Sequence, residues 1–346
     1  MEYSTNKPFL LAPCGKDYIW GGTRLKEDYH KDIDLPILAE TWECSVHPDG
    51  PSVVSSGVHQ GKSLQEVIAE CPSYLGSHPD KKEGLPILVK LIDAKDHLSV
   101  QVHPDDAYAF LHENGSLGKT EMWYVLDAEE DSELVFGFVR DMDQETLMHA
   151  LETDSIEKYL QRVKIKKDDV FYVKAGTVHG IGAGALIAEI QENSNLTYRL
   201  YDYHRVDKSG NPRELHVQKA MEVADLKAGI SPRQPMRMLR YKKGCAMEFL
   251  CRCKYFQVER MLLNTGDEMQ VPYQTDETSF EVLLCVEGAG ALVEANIVEG
   301  NLMGKQIERS NATGILTFKK GDCIFVPADS VPLYLTGRAQ LLKVHC

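Results

Sequence analysis

Short apolar runs separated by Gly, Asp, Asn and Lys turns dominate the chain. They cover 85–94 (LPILVKLIDA), 121–128 (EMWYVLDA), 132–139 (SELVFGFV), 169–176 (DVFYVKAG), 185–191 (ALIAEIQ), 255–263 (YFQVERMLL), 280–288 (FEVLLCVEG), 323–328 (CIFVPA) and 339–344 (AQLLKV). Their lengths and their β-branched or aromatic content predict strands. Many such strands at short spacing predict a sandwich or barrel. Helical patterning is confined to a few places. Ser63 followed by Glu66 reads as a capping box opening a helix over 63–71. The pieces QETLMHALE and SIEKYLQRV within 143–163 predict a helical hairpin inserted between strands, and 105–113 and 214–225 predict two further helices.

The pattern repeats. Lys166-Lys167-Asp168-Asp169 followed by VFYVKA resembles Lys319-Lys320-Gly321-Asp322 followed by CIFVPA, each a turn, a strand and an exit turn. Two copies of one β-sandwich unit explain the echo. The first copy continues to His179, where the second has Pro332. The polar, basic stretch 233–243 (RQPMRMLRYKK) reads as the boundary. It divides the chain into a unit over 1–240, with the helical insertion at about 141–163, and a unit over 244–346.

Length and charge narrow the partners. At 346 residues the chain is long enough for two domains. A net charge of −14 disfavours nucleic acid and anionic membranes. No run approaches the ~20 apolar residues that span a bilayer, and the N-terminus lacks a basic segment with a cleavage site. Nine scattered cysteines without framework spacing suggest reduced thiols and a cytoplasmic location. Cys251 and Cys253 read as strand packing. Gly180, Gly182 and Gly184 precede a strand instead of opening a helix, so they are no dinucleotide loop, and read as a flexible rim. The sequons at Asn195 and Asn311 carry no weight in such a compartment. An oligomeric state no higher than a monomer or weak homodimer is expected.

The segment Leu98-Ser-Val-Gln-Val-His-Pro carries the most chemistry. In a strand, Ser99, Gln101 and His103 share one face, and Pro104 keeps His103 extended. Three polar groups on a half-buried face need partners. Glu121 opens the next strand, and His179 ends a later one. Two imidazoles, a carboxylate and an amide oxygen suit a borderline ion such as Zn²⁺. One anionic ligand would leave the site formally at +1, attractive to an anionic substrate.

These segments resemble the type I mannose-6-phosphate isomerases. The likeness spans the chain and is strongest over 86–205. It is carried by Y-I-W-G-G (18–22), E-T-W-E (40–43), L-S-V-Q-V-H-P-D-D (98–106), G-K-T-E-M-W-Y (118–124), G-T-V-H-G (176–180) and A-E-I-Q-E-N-S-N-L-T-Y-R-L-Y-D (188–202). The resemblance implies cupin-like jelly-roll domains and a zinc ion held by Gln101, His103, Glu121 and His179. It implies catalytic roles for Glu189, Arg199 and Lys119, phosphate contacts from Ser99 and Lys90, and a substrate contact from Arg205, where longer members have lysine. It implies proton transfer through a cis-enediol, interconverting mannose 6-phosphate and fructose 6-phosphate. Glu189 is expected to serve as base with its pKa raised toward neutral by apolar surroundings, or else to orient a metal ligand; Lys119 or His97 are the other candidate bases. Gly118-Lys119-Thr120-Glu121 departs from the H-K-P-E of longer members, and their large helical insertion is missing, as in the short bacterial branch. Two rivals stay open: a cupin iron dioxygenase and a non-catalytic sugar-binding cupin. The unit over 244–346, lacking the ligand motifs, is expected to hold no metal.

Overall fold

The computed structural model describes residues 6–79, 84–207, 209–230, 232, 234, 238–266, 269–295 and 314–346. It is mainly antiparallel β-structure in three sheets. Every strand expected from the apolar runs is present, from Ile87–Ala94 to Leu333–His345. No helix among the described residues is long and apolar enough to cross a membrane.

The chain divides into two compact units, but not into two contiguous ones. One unit joins Pro13–Pro51 to Ile87–Met236; the other joins Met1–Ala12 and Ser52–Pro86 to Arg237–Cys346. The expected unit over 1–240 therefore gives up two segments to its neighbour. The cause is non-local pairing. Phe9–Ala12 adds antiparallel to Cys323–Val326, with Phe9 opposite Phe325 and their rings stacked at 5.3 Å. The switch near 233–243 falls between Met236 and Arg237, in a stretch partly outside the described residues.

The first unit contains two facing sheets. The larger runs Val170–Val173, Glu121–Ala128, Ala185–Glu192, Ile87–Ala94, Glu40–Cys44, Cys14–Lys16. The smaller runs Tyr198–Tyr201, Val100–Val102, His179–Ile181, Glu133–Phe138, Leu160–Lys164. Trp20, Ile92, Ala94, Trp123, Val125, Ile181, Ala185 and Ile187 form one buried apolar cluster drawn from both sheets. In the second unit a ten-stranded sheet surrounds a core of Leu283, Cys285, Ile324, Val326, Leu335 and Leu341.

Local signals explain the helices. Ser63 and Glu66 form the reciprocal capping box at Leu64–Glu70, and Asp105 and Asp143 cap Asp106–His112 and Gln144–Glu152. The helix expected over 214–225 is confined to Val217–Val223. The expected helical hairpin is half right. Its first arm is Gln144–Glu152, but the second gives only a 3-10 turn at Ile156–Lys158 and then the strand Leu160–Lys164. The LQRVK run alternates in exposure and extends the smaller sheet by pairing with Glu133–Phe138. A short run that fits both periods is settled by its sheet neighbour. The glycine cluster is no flexible rim either. Gly180 and Ile181 lie in a buried strand, and Gly182 packs so close to the Glu133 carbonyl that a Cβ would collide with it. Cys251 is buried in a strand, as expected, but Cys253 lies just past the end of that strand and is only half-buried, so it does not pack as a strand residue.

Candidate metal centre and active site

The site arises where the apolar rows facing the inter-sheet core turn polar. Along Ile87–Ala94 the row Ala94, Ile92 continues to Lys90; along Glu121–Ala128, Val125 and Trp123 lead to Glu121. Along Ala185–Glu192, Ile187 leads to Glu189 and Gln191. Register then aligns these residues. Glu189 is opposite Lys90 on one side and Trp123 on the other, and Gln191 is opposite Glu121. Directly opposed residues share a face and touch. On the smaller sheet Gln101 sits between His179 and Arg199, paired with each.

His103, Glu121 and His179 converge in full burial, their ligand-capable atoms all within 4.8 Å of one another. His179 Nε2 lies 3.3 Å from Glu121 Oε1, and His103 Nε2 lies 3.6 Å from Oε2. His103 Nε2 and Glu121 Oε1 lack a hydrogen-bond partner among the described residues, while Glu121 Oε2 is ion-paired with Lys119 Nζ at 2.9 Å. Orphaned polar atoms in a buried cluster are costly unless an ion completes them. The imidazoles are set for that. His103 Nδ1 donates to the Leu196 carbonyl at 2.7 Å and His179 Nδ1 to that of Thr177 at 2.8 Å, leaving each Nε2 with a lone pair toward the cluster. Burial is the first cause that holds both rings neutral, taking His179 down to about 4 and His103 well below the usual range. Burial, then the charge of Glu189, pushes Glu121 up to about 7, where a cation would restore its ionised form. The Gln101 amide lies 3.4 Å from His179 Nε2; a half-turn of that amide presents Oε1, as a ligand would need. The donor set fits a metal ion.

Beside the cluster lies a buried charge network. Glu189 Oε1 is 3.3 Å from Lys90 Nζ and 3.7 Å from Lys119 Nζ, and Oε2 accepts from Trp123 Nε1 at 2.9 Å. Burial alone would raise the Glu189 pKa, but Lys119, Lys90 and the Trp123 donor hold it below the ordinary value. The expected rise toward neutrality is therefore corrected: two ammoniums outweigh desolvation. Lys90 is also 3.7 Å from Glu40 and packs over the Trp42 ring. Burial works against its charge, and Glu40, Glu189 and Glu121 more than offset this, raising its pKa. Ser99 Oγ donates to Gln101 Oε1 at 3.4 Å.

These groups line a cleft of about 300 Å³ together with Tyr18, Trp20, Thr197, Arg199 and Arg213. Such a volume suits a small ligand. Arg199 Nη1 donates to the Glu214 carbonyl at 2.7 Å, while its Nε has no partner among the described residues. Arg205 is placed differently: its guanidinium binds the Asp202 carboxylate and the His97 carbonyl, and it is not among the residues lining the cleft. His97 is likewise outside the lining, its Nδ1 accepting from Ala183 N. Glu40, Trp123 and Arg213 had no assigned role in the sequence. Glu40 and Trp123 stood in the quoted E-T-W-E and K-T-E-M-W-Y runs, where alternate residues share a face; nothing near Arg213 signalled its place. Gly118 explains the departure from H-K-P-E. A Cβ there would meet Asp105 C and Asp106 N at 2.5 Å, because the loop packs on the start of the Asp106–His112 helix. A histidine has no room.

Fold and site together define a cupin-fold enzyme with a His–His–Glu centre able to hold a metal ion. The signature of the phosphomannose isomerase type I catalytic domain matches residues 9–140. Mannose-6-phosphate isomerase ManA of Bacillus subtilis is 35% identical over 344 residues, 99% of each chain. The Streptococcus mutans mannose-6-phosphate isomerase is 43% identical over 217 residues, 63% of this chain and 67% of that one. The crystal structure of the Bacillus subtilis mannose 6-phosphate isomerase superposes with a TM-score of 0.86 at 33% identity, covering 98% of this chain and 100% of that one. The chain belongs to the type I mannose-6-phosphate isomerase family, a family of isomerases.

Proposed function

We propose that this protein interconverts mannose 6-phosphate and fructose 6-phosphate, using one zinc ion held by Gln101, His103, Glu121 and His179. The observation that carries the reading is the convergence of His103, Glu121 and His179 in full burial, their ligand-capable atoms all within 4.8 Å of one another, next to the Glu189–lysine network that lines the cleft. Two imidazoles with oxygen donors favour zinc over harder ions. Bound there, it would supply Lewis acidity to the substrate's C1 and C2 oxygens.

The chain's own residues then move one proton. Glu189, kept ionised by its lysines, takes the proton from C2 of the open-chain aldose, and C1–C2 becomes an enediol. The same proton returns to C1, while O2 loses its hydroxyl hydrogen and O1 gains one, giving the ketose. Lys119, between Glu121 and Glu189, passes hydrogen between these oxygens. Arg199 is permanently cationic and stabilises the charge that develops on them. Ser99 holds the Gln101 amide. Trp123 fixes the Glu189 carboxylate by its indole donor, so the base does not rotate away from the carbon. None of the nine cysteines is joined in a disulfide, which accords with a cytoplasmic enzyme.

A coupled assay on mannose 6-phosphate, before and after chelation, tests the reading. Turnover should vanish with the metal and return with zinc. Full activity in a metal-free preparation would refute the zinc assignment, and inactivity of the zinc-loaded protein would refute the isomerase.

A further inference from the structure

Charge is distributed unevenly across the cleft. At its floor two ammoniums, Lys90 and Lys119, face the lining carboxylates Glu40 and Glu189 and the Glu121 carboxylate buried behind them. Even with a divalent ion, the floor lysines are committed to protein carboxylates and have little to offer a dianion. The Arg199 side is the reverse. Asp202 alone faces Arg205 and Arg213: it accepts from Arg213 Nε at 2.8 Å and from Arg205 Nη2 at 2.5 Å, and also from Arg213 Nη2. Arg199 stands in the same electrostatic neighbourhood, its cationic form disfavoured first by burial and then by Arg213. Two guanidiniums therefore share the Asp202 carboxylate, Arg199 feels the charges of Asp202 and Glu214, and of the three only Arg199 and Arg213 line the cleft.

We infer that Arg213, held in place by Asp202, is the residue that takes the substrate's phosphate. The inference rests on the isomerase reading above. Guanidinium is the side chain suited to bidentate phosphate recognition: unlike an ammonium it has two edges, so Asp202 can fix its plane through Nε and Nη2 at low entropic cost and leave the Nη1 edge for the phosphate. Spacing agrees. Arg199 lies two strands from His179 through Gln101, about 10 Å at the usual strand separation. An open-chain six-carbon phosphate can bridge that span, its reacting end at the metal cluster and its phosphate beyond Arg199. Ser99 and Lys90, whose contacts are to Gln101 and to carboxylates, are thereby relieved of the phosphate role.

The test compares the zinc-loaded wild type with Arg213→Met and Arg213→Lys. Steady-state constants are measured on mannose 6-phosphate and on unphosphorylated mannose, with inhibition by inorganic phosphate. Losing one charge-assisted contact should raise KM for the phosphorylated sugar and the inhibition constant of phosphate by about tenfold to hundredfold. The kcat should change little, as should turnover of mannose, and Arg213→Lys should recover part of the loss. Unchanged KM and phosphate inhibition would overturn the inference, as would a parallel fall for both sugars, which marks a merely structural role through Asp202. Calorimetric titration with inorganic phosphate separates the two readings. A wild type that turns over neither sugar but binds phosphate through Arg213 refutes the isomerase and keeps the subsite. An active wild type whose phosphate affinity ignores Arg213→Met does the opposite.

Discussion

The two β-units carry the same antiparallel strand pair with different inward rows. In one, Val170–Val173 pairs with Glu121–Ala128, and the chain then reaches His179. In the other, Cys323–Val326 pairs with Glu281–Glu294, and the chain then reaches Pro332. Inward rows of the first end in Lys90, Glu121 and Glu189; the core of the second stays apolar through Leu283, Cys285, Ile324 and Leu341. A buried charge pair in the second, Arg260 with Glu248 at 2.6 Å, joins directly opposed strand residues. The frame is thus indifferent to chemistry. A site forms where one end of the apolar layer is replaced by groups that need a third party.

That contrast can be broken most severely at the ligands. Glu121→Gln should abolish metal retention and lower kcat/KM by about a thousandfold or more, since a Lewis acid supplies several kcal/mol; metal analysis and the coupled assay check it. Glu189→Gln should lower kcat by about 10²–10⁴-fold with zinc still bound. Equal activity there would transfer the proton to another group.

The opposite experiment uses the second unit. Leu341 is fully buried, so Leu341→Ala should cost about 2–5 kcal/mol in denaturant unfolding. Metal content and kcat/KM of the folded fraction should not change. A site that failed with this variant would mean that the units are not separable in function.

A pH-dependent effect concerns Glu192. Its carboxyl is pushed up to about 8 by burial first and then by Asp106, to which it is hydrogen-bonded. It accepts from Thr120 N at 2.7 Å, as Asp106 accepts from Gly118 N at 3.1 Å, so the pair clamps the loop around Lys119. Because the folded pKa exceeds the ordinary 4.5, the folded state binds the extra proton. Stability is fully present below about pH 4.5 and is lost as pH rises toward 8, by at most about 1.4 kcal/mol per unit. Glu192→Gln should flatten that slope in urea melts taken across the window.

Much of this was legible in the sequence because it is local. Ser99, Gln101 and His103 announce one face by alternation, Pro104 fixes the exit, and Ser63 with Glu66 declares a helix start. What was not legible depends on partners distant in the chain. Phe9–Ala12 looks like any short strand until it pairs with Cys323–Val326. The LQRVK run becomes a strand because an adjacent edge accepts it. Glu189 was expected to be a weakly acidic carboxyl in apolar surroundings, but its acidity is set by Lys90 and Lys119, brought to it only by register and packing. Arg213 reaches the cleft through Asp202, a contact no spacing rule encodes.

X-ray absorption at the zinc edge, on protein as purified and on Glu121→Gln, addresses the proposed ion directly. One zinc per chain should appear with imidazole nitrogens at about 2.0–2.1 Å and light oxygen donors, and should be lost from the variant. Sulfur ligands, or a full complement of zinc retained by Glu121→Gln, would contradict the account.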